Sequence, residues 1–408
     1  MSDLCENNVS RRAILGAAGA LFAWSFVPKF AYAAAGARDA RFVCIVLRGA
    51  MDGLSAVAPV GDPDYVGLRE SIALSTQGGT PALPLDGFFA LHPAMPNLLR
   101  LYKAGQATVI HATSTGYRDR SHFDGQDVLE SGQPGPGRTE SGWMNRLLLI
   151  LPEGERIAQH GALGVGPVPP LIVRGRAPVT GWAPAILPKA KEDLAQRLLD
   201  LYAARDPELG VQLRSGLDTE RLAGRMGGMA GQPTAGASAA MRRVAEGAAR
   251  LVNADDGPRI AALAFDGWDT HANEGGATGQ LAQLLGGLDG AFAALEAGLK
   301  ERWADTVVMV VTEFGRTARV NGTVGTDHGN GTVAFLVGGA VKGGRVIADW
   351  PGLRPENLFE RRDLRPTTDI RSVAKGVLAD LFGISTARLA EDVFPDTPDL
   401  KPIQGLVG

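Results

Sequence analysis

The sequence predicts an α/β fold, a three-layer α/β/α sandwich around a mostly parallel sheet, and three observations predict it. Apolar, largely β-branched runs recur at 41–47, 107–112, 259–265, 307–311 and 333–337. They lack polar alternation, as strands buried on both faces do. Segments of helical spacing stand between several of them, as in chains that cross over a sheet. Polar groups follow or precede the runs directly, where open α/β sheets place their ligand sites.

In order, the chain begins with a targeting segment. Ser10-Arg11-Arg12-Ala13-Ile14-Leu15 has the twin-arginine pattern, an Ala- and Gly-rich apolar stretch follows, and Ala31-Tyr32-Ala33 offers small residues for cleavage. We assign 1–35 to a signal peptide and 36–408 to the α/β domain. The protein is then expected in the periplasm or outside the cell, with the twin-arginine translocase as a partner during export. Pro28 and Lys29 interrupt the apolar stretch, so no stable membrane span is expected. A net charge of -3 gives no electrostatic case for nucleic acid. Of the two cysteines, Cys5 lies in the signal and Cys44 inside an apolar run, so no internal disulfide is expected.

The first strand, 41–47, ends at Arg48-Gly49-Ala50-Met51-Asp52-Gly53. Asp52 is placed either to bind a cation or to form an Asp-Gly turn. A short amphipathic helix is expected at 92–102 and a strand at 107–112, with His92 and His111 read as structural. Ser121 precedes a helical stretch that ends at Gly132. A serine there is an N-cap or a nucleophile aided by the free N–H groups of the helix start. Residues 143–151 read as helix, 192–204 has helical spacing, and 223–239 reads as a small-residue loop. Residues 188–255 are thus a helical, flexible insertion and not a domain, since its core would be small.

The strand at 259–265 runs into Asp266-Gly267-Trp268-Asp269-Thr270-His271. Asp269 and His271, two apart, form a compact metal-ligand unit or an Asp-His hydrogen bond in a loop. A long amphipathic helix at 280–299 leads to the strand at 307–311, which stops at Glu313-Phe314-Gly315-Arg316. Asp327-His328 precedes the strand at 333–337. A strand or edge hairpin is expected at 343–350, and a last helix at 370–382, capped by Thr368 or Asp369 and ended by Gly383. Asp52, Asp269, His271, Glu313, Asp327 and His328 suit a borderline or hard divalent ion such as Zn or Mn.

The motifs LRGAMDGLS, RSHFDGQDVLESG, GWDTH, TEFGRT and GTDHGNG resemble those of the twin-arginine-exported bacterial family known as domain of unknown function 1501. That family is similar to the alkaline phosphatase/sulfatase superfamily, and the resemblance spans nearly the whole mature chain. It implies an alkaline-phosphatase-like fold. It implies that Asp52 binds one metal beside the nucleophile, that Ser121 or a neighbour is the nucleophile, and that Asp269, His271 and His328 form the other metal site. Asp327 completes either site or orients His328. Phe314 stands where the superfamily has an imidazole, so the site of Asp52 and Glu313 loses a ligand. Cys44 lacks the Cys-x-Pro-x-Arg context of the superfamily's sulfatases.

The expected function is a metal-dependent hydrolase or transferase acting on a phosphate or sulfate ester, with a small molecule or glycan ester as substrate. Arg48, Arg120 or Arg316 would clamp its anionic group. The alternative is a non-catalytic envelope binding protein with a degenerate metal site.

Overall fold

A computed structural model describes residues 39–151, 161–166, 168–184 and 236–408, with positions 202, 210, 211, 213, 214 and 217. The signal segment at 1–35 lies outside the described residues, as does the helix expected at 192–204 apart from Tyr202. The loop expected at 223–239 is described only from Gly236, where a helix starts.

The main sheet contains β1 (Arg41–Leu47), β2 (Ala107–Ser114), β3 (Ala162–Val165), β4 (Val179–Trp182), β5 (Ile260–Phe265), β6 (Thr306–Thr312), β7 (Thr332–Val337), β8 (Arg345–Ile347) and β9 (Thr368–Asp369). They lie in the order β8-β2-β7-β6-β1-β5-β3-β4, with β9 also beside β2. Every pairing is parallel except those that β7 makes with β2 and β6. No helix separates β6 from β7. A chain returning to the neighbouring position without a crossover comes back antiparallel.

Six helices matter for the layers: α1 (Pro96–Lys103), α2 (His122–Ser131), α3 (Trp143–Ile150), α4 (Ala237–Asn253), α5 (Gln280–Leu299) and α6 (Ile370–Phe382). β1 is buried along its whole length and divides its side chains between two cores. Val43, Ile45 and Leu47 face α1, α4 and α5. Phe42, Cys44 and Val46 face α3 and α6. This period-two division makes three layers, and it explains why the strands read as unbroken apolar runs. The fold is the α/β/α sandwich that the sequence predicts.

Local chemistry sets the element ends. The helix expected at 92–102 begins only at Pro96, because proline fits the first helical turn and disfavours helix in the residue before it. Asp369 caps α6 by accepting from the Arg371 N–H, and Gly383 ends it at φ +67°. The expected strand at 343–350 shrinks to Arg345–Ile347 on the sheet edge. His111 is buried in β2, with Nε2–H donating to the Val57 carbonyl (2.9 Å) and Nδ1 accepting from the Ala112 N–H (2.8 Å). His92 is likewise structural, held by the Gly276 carbonyl and the Ala94 N–H. Cys44 is free and buried, and burial pushes its thiol pKa up. Among the described residues no helix is long and apolar enough to cross a membrane.

Candidate metal centre

Five adjacent strands, β2-β7-β6-β1-β5, bring chemistry to one rim of the sheet. Four of them end there, and β7, running the other way, begins there. Asp269 and His271 follow β5, Glu313 follows β6, and Asp327 and His328 precede β7. After β2 the chain turns through Arg120 and Ser121 to His122, the first residue of α2.

Two glycines let these segments meet. Gly49, at φ +117°, lies against the loop after β5, and a Cβ there would be 2.5 Å from the Asp269 nitrogen. Its own N–H donates to Glu313 Oε1 (2.9 Å). Gly125 lets α2 rest on Phe314, whose ring a Cβ would meet at 2.9 Å. As a result the His122 and Phe314 rings stack with centroids 5.0 Å apart.

Asp269 is the hub. Its Oδ2 lies 3.4 Å from His122 Nε2, and its Oδ1 lies 3.0 Å from His271 Nε2 and 3.3 Å from His328 Nε2. His271 Nε2 and His328 Nε2 are 2.9 Å apart. The ligand atoms of His122, Asp269 and His328 all lie within 4.8 Å of one another, the spacing of a cation's ligands. Tetrahedral Zn–N bonds of about 2.0–2.1 Å put neighbouring ligand atoms roughly 3.3 Å apart.

Each histidine is held from behind at Nδ1. His122 Nδ1 donates to Glu313 Oε1 (2.8 Å), His271 Nδ1 to Asp327 Oδ1 (3.3 Å), and His328 Nδ1 to the Arg120 carbonyl (3.0 Å). These partners select the tautomer that leaves Nε2 as an acceptor. In their neutral form all three rings therefore turn an Nε2 lone pair towards one carboxylate, and a ring that takes up a proton donates to it instead. His122 Nε2 is buried with no hydrogen-bond partner.

Charges follow this geometry. Burial raises the Asp269 pKa, but hydrogen bonding and charge from Arg316 outweigh it and hold the carboxyl low. Burial also opposes ionisation of Glu313, yet His122, the Gly49 N–H and Thr312 keep its pKa below the ordinary value. The Glu313 hydrogen bond, against burial, raises the His122 pKa. Burial, then the charges of His122 and Arg316, lower that of His328.

The residues singled out in the sequence separate into two groups. Asp269, His271, His328, Glu313 and Asp327 come together at the rim. Asp327 orients His271 and not His328, because its Oδ1 faces His271 Nδ1. Asp52 is not part of the cluster. Its Oδ1 accepts from the N–H groups of Leu54 and Ser55, and its Oδ2 is paired with the buried Arg69. Ser121 is the N-cap of α2, its Oγ accepting from the Asp124 N–H at 3.5 Å. The three arginines are engaged as well. Arg48 pairs with Glu130 (2.7 Å), and Arg120 with Asp363 (2.8 Å) and Glu360 (2.5 Å). Arg316, 1% exposed, is taken up by Asp269 (2.6 Å) and both oxygens of Thr326.

His122 is the residue that sequence reasoning missed. Its signal was its place beside Ser121, at the start of a helix after a strand, inside the quoted RSHFDGQ motif. It brings an imidazole to Glu313 and Phe314, where none was expected. Arg120, at φ +62°, makes the turn that presents both its carbonyl to His328 and His122 to the rim. That conformation is uncommon for a non-glycine residue.

No curated protein matches the sequence. Solved structures that match the chain include Ps i-CgsB, at 12% identity over 89% of this chain and 77% of that one, TM-score 0.41. Ps i-CgsB in complex with k-i-k-neocarrahexaose matches at 13% identity over 75% of this chain and 68% of that one, TM-score 0.38. The phosphonate monoester hydrolase of Agrobacterium radiobacter matches at 12% identity over 85% and 73%, TM-score 0.34. A family profile described as "Protein of unknown function (DUF1501)" matches residues 39–394, and the chain belongs to that family.

Proposed function

We propose that the chain is a metal-dependent hydrolase of phosphate or sulfate esters, exported by the twin-arginine route, with one divalent cation held by His122, Asp269 and His328. The observation that supports it is the convergence of acceptors on one point. Three imidazole Nε2 atoms and a carboxylate face one another, and Arg316 donates to one carboxylate oxygen. With neutral rings in this tautomer, acceptors at 2.9–3.4 Å repel unless a proton or a metal cation lies among them, and three imidazoles with a carboxylate are a donor set that a divalent cation fits. A donor set rich in imidazole favours Zn over Mn.

A bound divalent cation polarises an ester oxygen and acidifies water. The chain's own residues do the rest. Glu313, Asp327 and the Arg120 carbonyl fix the three imidazoles, and Arg316 fixes Asp269. His271 stands on the open side, its side chain 44% exposed, backed by Asp327 as its acceptor. It takes a proton from the attacking water and returns it to the leaving group, the role of a carboxylate-backed histidine. Ser121 keeps its cap, so water and not the serine attacks in this reading. The half-exposed Asp269 and Asp327 leave room for an anionic ester only once a cation offsets their charge.

A second reading, a binding protein with a structural metal, is favoured by one observation. His271 Nε2 is close enough to Asp269 and His328 to serve as a fourth protein ligand, and four protein ligands close a structural zinc site. The test is His271→Ala, with metal content and turnover of nitrophenyl phosphate, phosphodiester and sulfate measured on protein purified without chelator. The hydrolase reading expects the variant to keep its metal and lose turnover. Wild-type protein with metal but no turnover on any ester, and a His271→Ala protein without metal, would replace it with the second reading.

A further inference from the structure

Beneath the rim lies a buried group that the proposed chemistry does not use: Asp52, Arg69 and Glu274, at 1%, 0% and 0% exposure. Arg69 pairs with Asp52 Oδ2, and its Nη2 lies 3.6 Å from Glu274 Oε1. Glu274 turns its other oxygen towards the rim. Oε2 accepts from Thr270 Oγ1 (3.2 Å) and Thr326 Oγ1 (2.7 Å). Thr326 Oγ1 in turn accepts from Arg316 Nε (3.2 Å), and Arg316 Nη1 donates to Asp269 Oδ1 (2.6 Å).

The two threonines lie within the segments that carry the rim residues. Thr270 stands between Asp269 and His271, and Thr326 precedes Asp327 and His328. Backbone bonds join the same segments: Thr326 N–H to the Thr270 carbonyl (3.2 Å) and Glu274 N–H to the Val324 carbonyl (3.0 Å). One carboxyl group therefore ties two loops from different strands, and a hydrogen-bonded path runs from it to the hub of the site.

We propose that Glu274 is a positioning residue for the cation site. It acts through Thr326 and Arg316 on Asp269, and through Thr270 on the segment that carries Asp269 and His271. This rests on the metal reading above. Side chains behind the ligands of a metal set the ligands' orientation, and their loss weakens affinity by about 10–100-fold. Burial and the nearby Asp52 carboxylate push the Glu274 pKa up to about 8, so a neutral side chain of the same shape does its work.

The test is Co(II) and Zn(II) titration of the metal-stripped full chain, following Co(II) visible absorption, with Tm measured alongside. Glu274→Ala is expected to weaken binding by about tenfold or more and to change the Co(II) spectrum. Glu274→Gln is expected to restore both. Should Glu274→Ala not fold, Thr326→Val removes the same link at a smaller side chain and is expected to shift affinity in the same direction. Lys375→Met serves as a control. Lys375 is bonded to the carbonyls of Thr397 and Leu400, apart from this network, so its loss should lower Tm without moving affinity. Unchanged affinity and spectrum in Glu274→Ala, or in Thr326→Val if Glu274→Ala does not fold, would overturn the proposal. So would a control that weakens binding equally for the same loss of Tm. A wild-type chain that binds neither metal would instead overturn the metal reading itself.

Discussion

The rim cluster and the buried group beneath it contain similar chemistry with opposite balance. Asp52 and Glu274 share one guanidinium, and their remaining oxygens accept from backbone N–H groups and hydroxyls. Asp269 faces three imidazoles whose protons are turned away from it. The first group is a structural ion pair of Arg69 with Asp52, with Glu274 beside it, and only Arg69 Nε and Glu274 Oε1 in it lack a hydrogen-bond partner. The second, with its rings neutral, holds an excess of lone pairs in the arrangement that could hold a cation. Counting donors against acceptors, and not counting acidic residues, separates a structural charge cluster from a binding site.

The largest effect tests the buried side of this contrast. Removing one partner of a buried ion pair strands the other, at a cost of about 3–5 kcal/mol. Arg69→Ala should therefore lower stability by about that much in denaturant melts, with or without metal. His328→Ala should melt close to wild type once metal is stripped from both. Arg69→Ala with normal stability would mean that Asp52 and Glu274 are balanced in some other way.

A histidine satisfied on both nitrogens should behave as the rim histidines do not. His111 is buried and neutral, and burial lowers its pKa to about 4 from 6.5. Between those values the unfolded chain binds a proton that the folded chain refuses. Stability from the neutral ring is therefore fully present above pH 6.5 and lost as the pH falls towards 4. The loss should be about 3 kcal/mol, at 1.36 kcal/mol per unit. In His111→Gln, which donates and accepts without titrating, the acid limb should flatten by that amount. An unchanged limb would remove His111 as its cause.

At the rim, His122→Ala should weaken Zn(II) binding by about a hundredfold, since even groups behind the ligands cost about 10–100-fold. Its Tm without metal should fall as well, because His122 is only 22% exposed, stacks on Phe314 and donates to the buried Glu313 carboxylate, so the affinity is read on metal-stripped protein that is still folded. Affinity unchanged in this variant would leave Asp269, His271 and His328 as the whole site.

How far the sequence was legible depends on what each residue's neighbours along the chain could reveal. Strands such as β1 and β6 were readable because burial on both faces leaves an unbroken apolar run. Asp269, His271, Glu313 and His328 were readable because they stand at strand ends. Asp52 stands at a strand end too, yet its partner Arg69 lies in an unrelated helix, and no local pattern announces that pairing. Arg48, Arg120 and Arg316 were open to the same error, since an arginine's partner is fixed by tertiary contacts. His122 is hidden by its neighbour: Ser121 has the place of a cap or nucleophile, while the histidine one residue on points at the rim.

The smallest effect separates the two carboxylates that stand behind the histidines. Glu313 and Asp327 each accept from an imidazole Nδ1, but Glu313 is fully buried at 2.8 Å and Asp327 is 51% exposed at 3.3 Å. Solvent screens an exposed pair, which is worth about 0–1 kcal/mol. Glu313→Gln keeps an acceptor for His122, Gly49 and Gln126 but removes the charge, and should weaken metal binding by about tenfold. Asp327→Asn should change affinity by no more than about fivefold, the equivalent of 1 kcal/mol. If His271 handles a proton, Asp327→Asn should still slow turnover and shift its pH profile while metal content stays the same. Equal losses of affinity in the two variants would make His271 a ligand, and would favour the binding protein over the hydrolase.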